Sequence, residues 1–254
     1  MKNWFFFLLV LLLGACAGRH GAVSPEGTDE RWQKMLTASA AAPHSPYRLQ
    51  MSLRFGVEGD TRRVTALFWG NGNGALRLDV MAGIGAVAAN ILEDGQHFLL
   101  YVPRDNKAYF YQGAARPLLN AGVPIPFTLR HLADMLNGRY APVFGAAYSG
   151  SANTTARGTR YPITGGPGGD IVLNADGLPV SWRENGDKAW TMEIDYDDGT
   201  PPLPQRLALT HSNGNRAILL IKEREPLAVA FSPDQLHLAL PENAPLLPLA
   251  RYKK

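Results

Sequence analysis

From Tyr47 to Phe55 every odd position is apolar and every even one polar, in the order Tyr-Arg-Leu-Gln-Met-Ser-Leu-Arg-Phe. Side chains on a strand point alternately to its two sides, so this period of two describes a strand with one wall on a core and one in water. The pattern then repeats at short intervals. Gly56 to Asp60 reads as a turn and Arg63 to Trp69 as the returning strand, closed by Gly70-Asn71-Gly72-Asn73-Gly74. Leu76–Val80, Ala88–Leu92, His97–Val102 and Lys107–Tyr111 continue the meander, with turn residues at Glu93-Asp94-Gly95 and Arg104-Asp105-Asn106. After position 170 the strands resume at Ile171–Asn174, Val180–Glu184, Trp190–Tyr196, Gln205–His211 and Ala217–Glu225. Roughly ten or eleven short strands with no strand–helix–strand alternation predict a mainly β chain whose antiparallel sheet curls on itself.

Helical periodicity is confined to two places. Asp29 to Ser39 sets Trp32, Met35 and Leu36 on one side, and Ala40 to Pro46 ends it. Thr128 is a suitable N-cap for a second helix whose apolar stripe is Leu129, Leu132, Met135 and Leu136, and Gly138 fits the position after its end, where positive φ is wanted. Two or three helices are therefore expected to close the sheet. The segment 141–169 is rich in Gly, Ala, Ser and Thr, which predicts irregular loops or weak strands inserted there. The Pro- and Leu-rich tail from Phe231 to Leu249 reads as a last extended strand and an ordered cover.

The first sixteen residues carry a different signal. Lys2 precedes an unbroken apolar run from Trp4 to Leu13, and Leu13-Gly14-Ala15 leads to Cys16, the only cysteine of the chain. Ten apolar residues are too few to span a bilayer, which takes about 20, and suit a secretory signal over 1–15. The tetrapeptide resembles the bacterial lipobox, which implies cleavage after Ala15 and acylation of Cys16, since two or more acyl chains anchor stably where one does not. Residues 16–28 then form the lipidated cysteine and a flexible tether, and 29–254 the folded domain. By the sorting rule of such lipoproteins, Ala17 rather than Asp after the cysteine implies the outer membrane, facing the periplasm. With no other thiol, disulfides and cysteine chemistry are excluded.

Composition excludes further classes. The formal charge is only +3, and Lys and Arg are scattered apart from Lys253-Lys254, so nucleic-acid binding has no support. The six histidines are far apart and show no metal-ligand spacing. There is no Gly-x-Ser-x-Gly elbow. Gly165-Gly166-Pro167-Gly168-Gly169 lacks the Lys-Ser/Thr of a phosphate loop, and Glu193 to Gly199 lacks the late Glu of a calcium loop. No catalytic residue, metal site or cofactor is expected.

Two segments carry a resemblance. Gly122-Val123-Pro124-Ile125-Pro126 enters the central helix, and Leu76-Arg77-Leu78-Asp79-Val80 leads into Met81-Ala82-Gly83-Ile84-Gly85. In this order behind a lipobox they resemble the LolB-like family of outer-membrane lipoprotein receptors, within the lipoprotein-localisation fold shared with its LolA-like soluble carriers. The resemblance implies an incomplete antiparallel half-barrel closed by helices over an apolar cavity. That cavity accepts lipoprotein acyl chains from the carrier and passes the lipoprotein to outer-membrane lipid, with no covalent chemistry, in a monomer. The family's insertion loop matches Met81, Gly83, Ile84 and Gly85. This chain has Ala-Gly-Ile-Gly where Asn-Pro-Leu-Gly is usual, keeping the apolar tip and losing the proline. Candidate cavity-lining residues are Leu53, Phe55, Phe68, Phe98, Phe110, Leu132, Trp190, Met192 and Ile194. Burying an isoleucine is worth about 1.5–3 kcal/mol, which favours tucking the loop into the core, whereas a nearby bilayer favours holding it out. A binding module for another hydrophobic ligand and a structural envelope lipoprotein with a filled core stay open. A hydrolase would need a polar triad that these separated histidines do not suggest.

Overall fold

A computed structural model of the chain describes residues 25–83, 85–95, 97–113 and 116–249. The expected signal sequence, Cys16 and most of the expected tether lie outside them. The first element is helix α1 (Pro25–Ala41), which takes in residues 25–28 from the expected tether and begins on a proline, whose missing N–H is no loss in a first turn. Then come β1 (Tyr47–Val57), β2 (Asp60–Asn71), β3 (Asn73–Ala82), β4 (Ala86–Asp94), β5 (His97–Val102) and β6 (Lys107–Gln112). Three short helices follow: α2 (Pro117–Asn120), α3 (Leu129–Leu136) and α4 (Ala141–Phe144). The chain continues through β7 (Asn153–Thr155), β8 (Gly158–Ile163), β9 (Gly169–Leu173), β10 (Pro179–Arg183), β11 (Trp190–Tyr196), β12 (Pro204–His211) and β13 (Arg216–Pro226). Helix α5 (Pro233–Leu236) and β14 (Leu246–Pro248) complete it.

All fourteen described strands form one sheet, in the order β14-β6-β5-β4-β3-β2-β1-β13-β12-β11-β10-β9-β8-β7. It consists of two antiparallel meanders, β1–β6 and β7–β13, joined where β1 pairs with β13 across most of both strands. The sheet curls without closing, and its ends are the short β7 and β14. The fold is thus the expected mainly β, unclosed half-barrel, with more strands than the ten or eleven foreseen. The surplus arises where alternation is weakest. Segment 141–169 contains α4, β7 and β8, and buries Val143, Phe144 and Tyr161. Its small residues permit close approach: a Cβ on Gly166 would sit 1.9 Å from the Val143 carbonyl oxygen.

Both concave halves are roofed from inside. Over β8–β10, α1 inserts Trp32 and Met35, and the Trp32 indole packs 5.2 Å from the Tyr161 ring. Over β1–β4 lie α2 and α3. Thr128 caps α3 by accepting a hydrogen bond from the His131 N–H (3.0 Å), and Gly138 follows it at φ 79°, as expected.

The tail covers the other side. Beyond β13 it crosses the outer face of the first meander. The Trp69 indole donates to the Gln235 carbonyl at 3.3 Å, Asn71 exchanges bonds with the Phe231 backbone, and Arg77 donates to the His237 carbonyl. Leu236 and Leu238 become buried there. The tail ends as β14, parallel to β6, which covers that edge. Ser232 and Gln235 form a reciprocal capping box that fixes α5 on this path.

Candidate functional site

The concave face of the first meander and its roof enclose an apolar hollow. Cross-strand register aligns its floor: Leu53 opposite Val64, Phe68 opposite Leu78, and Leu78 opposite Ile91. Met51, Phe55, Ala66 and Val80 extend this floor, and Leu219 of β13 reaches it from the second meander. The roof is Leu118 of α2, Val123 and Ile125 of the entry segment, and Leu129, Leu132 and Leu136 of α3. The α3 residues recur at three and four positions, one face of a helix. Every lining side chain is hydrocarbon or thioether. The cavity volume is about 60 Å³. Ligand pockets run to about 300–1,000 Å³, so the interior is nearly filled in this conformation.

Towards the β1–β2 turn the hollow widens. Past Phe55 and Val123, which line both parts, a mouth of about 310 Å³ lies between Val57, Asp60 and Arg62 on one side and Gly122, Pro124 and Asn215 on the other. Gly122 has φ 82°, a conformation glycine adopts freely, and a hydrogen bond from Val123 N–H to the Leu118 carbonyl (2.9 Å) tightens the turn.

Helix α3 is pinned at the opposite end. The buried Glu93 carboxylate of β4 accepts hydrogen bonds from the N–H groups of Leu129 (2.9 Å) and Arg130 (2.8 Å), the natural place for an anion at a helix start. Burial raises the pKa of Glu93 even so, against the lowering effect of those two bonds and of the Arg130 charge. Arg130 donates to the carbonyls of Gly72 (2.8 Å) and Gly74. At the other terminus Arg224 donates to the Leu136 carbonyl at 2.7 Å, and Arg139 forms a buried ion pair with Asp134 at 2.8 Å. Helix α3 is therefore anchored far from the mouth, whereas α2 beside the mouth is held by the ion pair of its N-cap Arg116 with Glu184 and by the packing of Leu118 and Leu119.

Of the residues chosen from sequence, Leu53, Phe55, Phe68 and Leu132 meet around this hollow. Phe98 is buried in the same core but does not line it. Trp190, Met192 and Ile194 are buried in the second half and also lie outside its lining. Phe110 is a correction: it stands opposite Leu99 on the outer face, 45% exposed, because inward positions of β6 belong to Tyr109 and Tyr111. In the β3–β4 hairpin Met81 is half-buried, while Gly83 and Gly85 are exposed with φ 59° and 86°. Ile84 lies outside the described residues, as does Cys16. Sequence reading overweighted aromatics and missed most of the aliphatic lining, from Val64 to Leu136. The period-three-and-four stripe of α3 was the available signal.

Two other hollows bear on function. One of about 500 Å³ opens between the end of α1, Tyr140 and the Pro201–Leu203 loop; its lining is largely apolar, with Ser45, Tyr47, Asn137, Tyr140 and Arg224 as its polar side chains. The other, about 770 Å³, lies on the outer face of β8–β12 and is bordered by Arg157, Arg160, Asp170, Arg183 and Glu193. Among the described residues no three His, Cys, Asp or Glu side chains gather as a metal site would require, and no helix is long and apolar enough to cross a membrane.

No known family profile and no curated protein matches the chain by sequence. Solved structures do match by shape. A LolA-superfamily protein from Nitrosomonas europaea superposes with a TM-score of 0.55 at 12% identity, covering 82% of this chain and 97% of that one. A domain assigned to outer-membrane lipoprotein sorting from Vibrio parahaemolyticus gives 0.53 at 10% identity, over 83% and 94%. A DUF1329-family protein from Desulfovibrio piger gives 0.58 at 7% identity, over 82% and 96%. The chain has the LolA/LolB-type fold.

Proposed function

We propose that this protein shelters the acyl chains of lipidated proteins beneath α2 and α3 and helps deliver them to the outer membrane. The observation that supports this most is the uniformly apolar lining joined to an open mouth. An acyl chain needs no polar partner along its length, and it has a route of entry past Phe55 and Val123. At about 60 Å³ the interior must open to admit a chain, by movement of α2 and the Gly122–Pro126 segment away from the sheet. The floor leucines then exchange one apolar neighbour for another, so the hydrophobic cost is small. Transfer from carrier to cavity to bilayer is likewise apolar to apolar, and its direction is set by modest differences in affinity between successive hosts. In this reading Cys16 carries the anchor in the outer membrane, a soluble LolA-like carrier is the donor, and the β3–β4 tip with Ile84 touches the bilayer. The chemistry is binding, not catalysis.

The test is photocrosslinking with a palmitoyl probe bearing a diazirine. Adducts on the α2–α3 roof, lost in Leu132→Trp and retained in Leu203→Glu, support the interior as the site. The reverse pattern moves it to the groove beside Leu203. In a companion assay, lipoprotein passed from a loaded carrier is expected to be accepted by Ile84→Glu and not delivered to liposomes. A second reading is favoured by the small volume alone: a structural envelope protein with a filled core, for which neither variant changes the pattern of probe adducts.

A further inference from the structure

The β1–β2 hairpin beside the mouth carries charge that its own fold does not balance. Arg54 and Arg63 face each other directly across the two strands on the outer face. Like charges in that position repel and destabilise a hairpin. Neither has a carboxylate partner among the described residues: Arg54 Nε donates to the Thr61 hydroxyl at 3.2 Å, and Arg63 Nε to the Ser52 hydroxyl at 3.0 Å. Arg62 stands on the other face opposite Phe55, at the rim of the mouth. Arg216 pairs in register with Gly56 and meets Glu58 at 3.2 Å. The register of the first meander brings the β5–β6 turn to the same end, adding exposed Arg104 and Lys107. These six cations stand against Glu58, Asp60 and Asp105.

The same end exposes apolar tips. Val57 is 42% exposed at the hairpin and Val87 43% exposed beside the β3–β4 turn. Cations ringed around protruding aliphatic groups match a lipid surface, where phosphates meet hydrocarbon within a few ångströms; an acidic protein face would match the arginines and leave the valines in water. We infer that the β1–β2 hairpin end docks on an anionic bilayer, with Arg54, Arg62 and Arg63 on headgroup phosphates and Val57 at the hydrocarbon boundary, so that the mouth opens against lipid. This deepens the acyl-transfer reading, on which it rests, by assigning the surface that presents the cavity; Arg54 and Arg63, the residues varied in its test, line neither the hollow nor the mouth.

The experiment uses the full chain with Cys16→Ser, so that a thiol placed at Val57→Cys is unique and carries a polarity-sensitive dye. A second chain carries the dye at Asp176→Cys, an exposed turn at the far end of the molecule. With vesicles of phosphatidylcholine and phosphatidylglycerol, the Val57 dye is expected to shift to the blue and the Asp176 dye to stay in water. Phosphatidylcholine alone should leave both unshifted. Each cation near an anionic surface contributes about fivefold. Arg54→Gln with Arg63→Gln should therefore lower the docked-to-free ratio about 25-fold. Both side chains are exposed, and an unchanged circular dichroism melt confirms folding. Equal shifts at both sites, a double variant that docks like wild type, or the same shift with inorganic phosphate or polyglutamate and no vesicles each overturn the proposal. Palmitoyl crosslinking to the roof needs no vesicle, so its outcome separates failure of docking from failure of acyl binding.

Discussion

Leu132→Ala separates a cavity that receives a ligand from a core that is merely loose. Leu132 is 3% exposed and hangs from α3 into a hollow with a cavity volume of about 60 Å³. Truncation removes three carbons, about 2.4 kcal/mol at roughly 0.8 kcal/mol each, and the enlarged void adds to that. A loss of about 3–4 kcal/mol is expected without ligand, read from urea unfolding at constant m-value. The space created is the space an acyl chain would occupy, so palmitate should restore part of the loss. Ligand at one hundred times its dissociation constant stabilises by about 2.7 kcal/mol. The variant, with more room, should gain more from a given palmitate concentration than wild type does. Leu209→Ala is the control: equally buried, on β12, and not part of the lining. It should lose a comparable amount and recover no more than wild type. If the two variants respond to palmitate alike, the ligand does not sit beneath α3 and the acyl-cavity argument is refuted.

Three further outcomes follow from the supports of the site. Arg139→Met leaves Asp134 charged and buried without its partner, and should cost about 3–5 kcal/mol in urea unfolding, most of it recovered when Asp134→Leu is added. Burial raises the Glu93 pKa in the folded state, so its contribution is fullest below the unfolded value of about 4.3 and is lost as pH rises through the folded one; Glu93→Gln should gain stability relative to wild type over that rise, and a parallel pH profile would contradict the assignment. Arg77→Ala removes the bond to the His237 carbonyl and the cation stacked 5.2 Å from the Trp69 ring, so limited proteolysis should cut the 227–249 tail sooner while the sheet stays intact.

How much of this was legible in the sequence depends on what each signal encodes. Alternation in β1 marks which residues face inward, and burial of Tyr47, Leu49, Met51 and Leu53 follows it. The cap at Thr128 and the positive-φ glycine at 138 are local chemistry, so α3 was readable nearly to the residue. Strand β7 was not, because Asn153-Thr154-Thr155 is polar and exposed throughout, and in β8 the inward alternation of Thr159, Tyr161 and Ile163 is short and broken up by Gly158 and Pro162. Phe110 shows the limit of hydrophobicity as a guide. The outer face of the first meander also carries apolar residues, since the tail from Leu227 onward covers part of it, and no count of aromatics tells an inward face from a covered outward one.

The lining shows why the site itself is harder to read than the fold. A hydrophobic residue on the concave face satisfies the same burial whether the facing helix touches it or leaves room for a guest. The difference lies in how the roof is held. The pins on α3, from Glu93 at its start to Arg224 and Arg139 at its end, are polar groups brought together from strands β4 and β13 and from the loop after the helix. Their spacing in the chain, from position 93 to 224, carries no motif. All of them lie away from the mouth, where the entry segment is held by the Val123–Leu118 backbone bond and by burial of Pro124, Ile125 and Pro126 rather than by charged groups. A roof pinned along α3 and held at the mouth end by one ion pair, Arg116–Glu184, and by leucine packing can lift there without unfolding. Substitutions that break the pins should therefore lower stability and leave acyl uptake unchanged, while apolar ones at Leu118, Val123 or Leu132 should change acyl uptake as well as any packing energy they cost.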